Sequence, residues 1–399
     1  MSHMDPIDAT LAAADAPAPD EGGKPDAPPK LRGPSWKYAL KRALKEFGSD
    51  GGTDLAAMLT YFMVLSLAPG LLAVFSIISL VLANNASTVT TIVDDAVRQV
   101  PEDYQGLIVN LVETMTSSAT GGVIALVIGI ATAVWSASAY VKAFSRCMNI
   151  VYGIAEGRGV IKLTATMLLI TVALIAGVVL ILVSLALNEA LVTGVLGPIA
   201  EPLGLGELLA FMTESFLPIW AWLRWPFMLA LVIAMIALLY YLAPNLRQPK
   251  FTWISLGSIA AIAGIAIGGV GLWLYFTLLT GYSAYGTIGT VMALLFALWI
   301  FNIVLLLGAE LDAEIERARQ LQAGIEAEAM IQLPPRDVKK VEKRAEQRES
   351  LERQGRLLRA HRDPADGSPL AEDDDAGTAD AGEARRGGRG RRGDGSARR

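Results

Sequence analysis

Few side chains in the long apolar stretches of this sequence can do chemistry. Glu310 closes the uncharged part of "YGTIGTVMALLFALWIFNIVLLLGAELDAEIER", and Lys142 closes a similar run that begins at Gly122. A helical run of about 20 residues is about 30 Å long, the thickness of a bilayer core. If both runs start at the same membrane face, the ammonium and the carboxylate reach the same depth. Arg146 follows Lys142 by four residues, on the same helix face, and Asn149 lies one turn on. One reading is that Glu310 accepts a charge-assisted bond from Lys142 or Arg146 and so ties two helices together. The other is that each group reaches separately for the headgroups.

The remaining polar groups at this depth are neutral. Thr60, Tyr61, Ser66, Ser76 and Ser79 share one stretch with Pro69, Ser136 and Ser138 lie on a second, and Asn302 on a third. Ser and Thr in spans mostly bond backbone, and Pro69 kinks its helix by removing a donor. An amide is costly against lipid, so Asn302 must face the bundle, either in a structural bond or lining a pathway. Intramembrane Asp, Glu or His, the usual sign of a proton relay, is nearly missing.

Enzymatic chemistry finds little support. The two histidines, His3 and His361, lie in polar tails, and Cys147 is the single cysteine. No Walker sequence, HExxH or His/Cys cluster of ligand spacing occurs. The expectation is a protein that is not an enzyme and has no cofactor or metal.

These residues must be held by membrane helices. The chain is 53% hydrophobic, and its apolar residues fall in six bilayer-length runs. The predicted spans are Leu55–Ala83, Gly122–Val141 with a helical extension, Leu163–Leu187, Trp225–Leu242, Trp253–Leu279 and Ile288–Ala309. The fold class expected is therefore an all-α integral membrane protein with six transmembrane helices. Lys37, Lys41, Arg42, Lys45, Arg146, Arg158, Lys162, Arg247, Lys250, Arg317 and Arg319 flank one set of span ends. The alternate loops, Asn84–Gly121 and Asn188–Pro218, are acidic. By the positive-inside rule both termini are expected in the cytoplasm.

Residues 1–33, rich in Ala, Pro and Asp, read as a disordered tail without a signal peptide. Residues 34–48 carry Trp36, Leu40, Leu44 and Phe47 at helical spacing between Lys37, Lys41, Arg42 and Lys45. This is a helix that either lies in the anionic leaflet surface, with membrane lipid as its partner, or packs on the inner ends of the spans. Residues 49–317 form the transmembrane domain, with two short amphipathic helices expected within Asn84–Gly121. Residues 318–399 read as a charged cytoplasmic tail, partly helical and then disordered. Its Arg/Gly-rich end is read as solvated, so no specific nucleic-acid partner is expected. In the fifth span Gly257, Ala261, Gly264, Gly268 and Gly271 share a face that suits close helix packing.

Three segments carry a resemblance. They are "DLAAMLTYFMVLSLAPGLLAVFSI" with Tyr61, Ser66 and Pro69, then "WSASAYVKAFSRCMNIVYGIAEGR" with Trp135, Asn149, Glu156 and Arg158, and "LLGAELDAEIER" with Glu310. In this order they resemble the YihY/virulence factor BrkB family of bacterial inner-membrane proteins. The resemblance implies six spans, cytoplasmic termini and a bacterial plasma membrane, and it implies no agreed activity. Some members have carried a ribonuclease BN label, which the residues here do not support. Others are associated with serum resistance, which implies an envelope role. The function expected is transport or lipid and envelope handling through the bundle. The alternative is a non-transporting scaffold, with a ribonuclease a distant third. The candidate pathway or helix-tie residues are Tyr61, Ser66, Pro69, Ser136, Lys142, Arg146, Asn149, Glu156, Arg158, Asn302 and Glu310.

Overall fold

The structure, a computed structural model, describes residues 5–16, 30–81, 105–106, 122–189, 192–193, 197, 204–248, 255–279 and 286–360. For residues 67–81, 122–130, 275–279, 286–288 and 290 it describes the backbone alone. Two compact units are present, Met1–Ala345 and Glu346–Arg399.

Among the described residues the first unit is helical, with one isolated antiparallel bridge between Leu246 and Pro335. Its elements are α1 (Pro6–Ala14), α2 (Gly33–Ser49), α3 (Gly52–Val81), α4 (Gly122–Val151), α5 (Val160–Ala186), α6 (Gly206–Leu242), α7 (Leu256–Leu279), α8 (Gly286–Gln322) and the start of α9 (Lys339–Ala360). Long helices stand at all six predicted positions. Four helices among the described residues, α5, α6, α7 and α8, are long and apolar enough to cross a membrane. Only 17% to 28% of their most apolar windows is buried within the protein. The apolar side chains left outward are what a bilayer would cover. The predicted outer amphipathic helices within Asn84–Gly121 lie outside the described residues, apart from 105–106.

Helix ends follow local chemistry. α4 stops where Gly153 takes φ 64°, and its last turn closes with Ile154 N–H donating to Asn149 O. α6 starts well before the predicted Trp225. A π-helical turn over Met212–Phe216 leads into a stretch that keeps Pro226 in its interior. α8 does not stop where its apolar run ends. It continues through Glu310 to Gln322 because no Gly or Pro interrupts it before Gly324, whose φ is 80°.

The N-terminal segment departs from the disorder expected of it. Asp5 caps α1 by accepting from Ile7 N–H at 2.8 Å, and Pro6 sets the first turn. Ala9, Thr10 and Ala13 are buried. Alanine-rich composition signals low hydrophobicity, but small side chains also let a helix dock closely, and Ala155 N–H donates to Thr10 Oγ1 at 2.7 Å. α2 docks on α8 through Ala39 and Ala43, next to Ile315 and Ala318, while Leu40 and Leu44 stay exposed. The docked face is the one expected of a helix packed on the ends of the spans.

The main core lies at one end of the bundle, where α3, α4, α5, α6 and α8 bring together Leu59, Phe144, Met148, Met167, Tyr240 and Leu305. The small-residue face of α7 packs on α8. A Cβ on Gly257 would overlap Gly308 O, and one on Gly264 would overlap Val304. A Cβ on Gly271 meets nothing within 4 Å.

In the second unit, residues 346–360 continue α9 as an exposed charged helix. Arg353–Glu349 at 3.3 Å and Arg356–Glu352 at 3.6 Å pair along its surface.

The packing of α7 separates two substitutions of the same kind. Gly264→Ala is expected to destabilise the detergent-solubilised protein by about 2 kcal/mol through overpacking. Gly271→Ala is expected to stabilise it by up to about 1 kcal/mol through helix propensity alone. Denaturation midpoints of the two variants check the opposite signs.

Candidate functional site

Polar groups are buried at two levels of the bundle. In the interior, Asn302 on α8 has no exposed surface. Its Oδ1 accepts from Tyr140 Oη at 2.9 Å, and its Nδ2 donates to Thr60 Oγ1 at 3.1 Å and to Leu298 O at 2.9 Å. Thr60 Oγ1 in turn donates to Ala56 O. The amide thus joins α3, α4 and α8, with both its N–H donors and its oxygen bonded within protein.

At one end of the bundle, the turn after α4 folds into a tightly bonded knot. Arg158 is 1% exposed. Its Nε donates to Glu156 Oε1 at 2.8 Å, and its Nη2 reaches Glu156 Oε2 at 2.8 Å, Ala243 O at 2.7 Å and Ser145 Oγ at 3.0 Å. Asn149 Nδ2 donates to Glu156 Oε2 at 3.0 Å, and Asn149 Oδ1 accepts from Asn245 N–H at 2.8 Å. Asn245 then bonds Ala155 O and both backbone groups of Asp337. Arg336 caps the end of α6 by donating to Tyr241 O and Leu246 O. Gly157 lies so close to Asp337 O that no Cβ fits. Lys162 Nζ closes the knot on Asp337 at 2.9 Å.

Electrostatics here follow from these contacts. Burial pushes the Glu156 carboxyl up, but the hydrogen bonds and charge of Arg158, with the Asn149 amide, outweigh it and hold the group below its ordinary value. The bond from Lys162 holds Asp337 low. Burial lowers Arg336.

Glu310 departs from the pairing expected of it. Lys142 Nζ sits over the Trp135 ring, 4.7 Å from its centroid, and the Arg146 guanidinium sits over Phe62 at 5.6 Å. No ion pair among the described residues joins either to Glu310. Counting residues says nothing of rotation about the helix axis, and both cations have an aromatic neighbour. Glu310 instead lines a cavity of about 80 Å³ with Arg42, Glu46, Asp50, Glu314 and Arg317. Arg42, grouped at first with the lipid-facing lysines, turns inward to Glu314, Nε to Oε2 3.1 Å. Burial opposes its charge, but Glu314, Tyr38 and Glu46 more than offset that and raise its pKa.

The other candidates do not converge. Tyr61 is exposed and meets Phe62 edge-on. Ser66 Oγ donates to Phe62 O on its own helix. Ser136 is half-buried. Pro69 lies within α3, and its side chain is outside the described residues. Sequence reasoning missed Tyr140, Ser145, Asn245, Arg336 and Asp337. Two signals were available. A polar residue in "APNLRQP" directly follows a span, and "PPRD" offers a buried partner for it. Neither reveals its mate across about 90 residues.

The family model described as Virulence factor BrkB matches residues 43–331, from within α2 to just short of the 334–341 segment. This chain belongs to the virulence factor BrkB family. It is 26% identical over 283 residues to the putative ribonuclease-like protein YfkH of Bacillus subtilis (strain 168), covering 71% of this chain and 96% of that protein. No solved structure matches. In this BrkB-family chain the segment "WSASAYVKAFSRCMNIVYGIAEGR" is the one that ties α4 to the ends of α5 and α6. Among the described residues no group of three or more His, Cys, Asp and Glu side chains is disposed to hold a metal ion.

The knot makes a signed prediction. Glu156 has a folded pKa below its unfolded value, so its stabilisation is fully present above about pH 4.3 and is lost as pH falls through the folded value. Glu156→Gln leaves Arg158 buried without its counter-charge and is expected to cost about 3 kcal/mol at neutral pH. The gap to the parent protein is expected to narrow in acid. Denaturation in detergent at neutral and acidic pH measures both.

Proposed function

We propose that this BrkB-family membrane protein spans the bacterial inner membrane six times, with both termini in the cytoplasm, and handles lipid or another apolar envelope component along its helix bundle. The observation that carries the reading is an apolar cleft of about 170 Å³ between α7 and α8, lined by Ile265, Gly268, Gly269, Leu272, Ala297 and Ile300. The glycines leave a groove where side chains would otherwise fill the surface, and its walls are hydrocarbon. The orientation rests on the segregation of Lys and Arg from the acidic loops. Lys37, Lys41 and Lys45 are exposed on α2 next to Leu40 and Leu44, which suits an anionic leaflet surface.

A scaffold role is the second reading. It is supported by the Tyr140–Asn302–Thr60 bonds, which fill the interior with polar groups that satisfy each other. Neither reading makes the chain an enzyme. The ribonuclease-like name belongs to a relative 26% identical, and both histidines of this chain lie in its tails.

Three experiments test this. In vesicles containing a phospholipid with a photoreactive acyl chain, crosslinks are expected on α7 and α8. Gly269→Leu, whose Cβ meets nothing within 4 Å, is expected to fill the groove and remove most of the crosslinking without unfolding the protein. Equal labelling of variant and parent would sink the lipid reading. In a Cys147→Ser background, Asn302→Cys is expected to resist a membrane-impermeant maleimide from either side. Reaction there would instead mean a water-filled path. The purified protein is expected to leave RNA uncut.

A further inference from the structure

Glu310 is 1% exposed, and its Oε2 has no hydrogen-bond partner although it borders the cavity at the knot's end of α8. Its neighbours there are already engaged. Glu314 accepts from Arg317 Nε at 3.0 Å and faces Arg42 Nε at 3.1 Å. Glu46 pairs with Arg42 at 3.3 Å and accepts from Ser49. Arg317 also donates to Ala327 O at 2.7 Å. The four carboxylates of the cavity, Glu46, Asp50, Glu310 and Glu314, therefore outnumber its two guanidinium groups, and both guanidiniums lean towards Glu314. An ionised carboxylate out of water needs a compensating charge. A proton on Oε2, donating to water in the cavity, is the rival way to remove the charge, and the test below separates the two.

We propose that this cavity binds one small monovalent cation, an alkali ion, with Glu310 Oε2 as its protein anchor and water completing the shell. The volume decides the size of the ligand. About 80 Å³ has room for a small ion with water beside it. The donor set decides the charge. A divalent ion wants several carboxylates converging on one point, and no such group exists among the described residues. The cation would bridge α2, which brings Arg42, Glu46 and Asp50, to α8, which brings Glu310, Glu314 and Arg317. The inference does not rest on the lipid reading and stands or falls apart from it.

The test is thermal unfolding of the full chain in detergent, in NaCl, KCl or choline chloride at equal ionic strength. A saturating alkali ion is expected to raise Tm by about 3 °C or more over choline, with the stronger of Na⁺ and K⁺ naming the preferred ion. Glu310→Gln, which removes the charge and keeps the shape, is expected to lose that difference. Equal Tm in all three salts overturns the proposal, as does a Glu310→Gln protein that keeps the full salt response. A Tm that follows pH but not the alkali ion also overturns it, in favour of a proton. Should Glu310→Gln not fold, binding of radioactive sodium and of radioactive rubidium, the latter in place of potassium, to the parent protein decides. About one ion per chain supports the site, and no bound ion of either kind refutes it.

Discussion

A guanidinium group withdrawn from water has to have its donors met, and Arg158 is withdrawn almost completely. Its partners come from three separate stretches of chain: Ser145 on α4, Glu156 in the following turn, and the carbonyl of Ala243 at the end of α6. The position of this one planar fork therefore sets where α4 ends and how α6 approaches it. Asn149 and Asn245 extend the same constraint to the 334–341 segment, which has no regular structure of its own until α9 begins. Breaking the fork leaves a charge without compensation at a junction of several chain segments, so the network is held as a unit.

Above this knot the bundle uses a different physics. The Tyr140–Asn302–Thr60 bonds are neutral, and α7 meets α8 by removing side chains altogether at Gly257, Gly264 and Gly308. A bilayer offers no hydrophobic drive between helices, so close backbone approach and a few internal hydrogen bonds must hold them. At the knot's end of α8, Arg42, Glu314, Arg317 and Arg319 lie beyond its apolar run. This division explains why one continuous helix can serve both regions.

Length and hydropathy made the six long helices legible, because a run of about 20 apolar residues has few other uses. The inward-facing Asn302 was legible for the same reason, as was the packing face of α7, where Gly257 and Gly264 proved to touch α8 and Gly271 did not. The neighbours of Glu310 were not legible. Depth along a helix follows from counting residues, but direction around it depends on which neighbour packs where, and α2 rather than α4 supplies the charges there. The helix Pro6–Ala14 was hidden because alanine-rich segments look alike whether solvated or docked. Only the meeting of Thr10 with Ala155 distinguishes the two.

The continuity of α8 has a consequence for how the chain is assembled. α8 is the last of the long apolar helices to be made, yet Gln322 at its end bonds Lys30, Arg32 and Ser35, and Trp299 donates to Thr53 O. Arg42 likewise waits for Glu314. α2 thus stays without its main partner until nearly the whole bundle has left the ribosome. During synthesis α2 presents an uncovered alanine face for the time needed to make about 250 residues, about 10 to 50 s at typical rates. Assembly therefore closes α8 back on α2, and a chain truncated before α8 would lack the surface on which α2 folds.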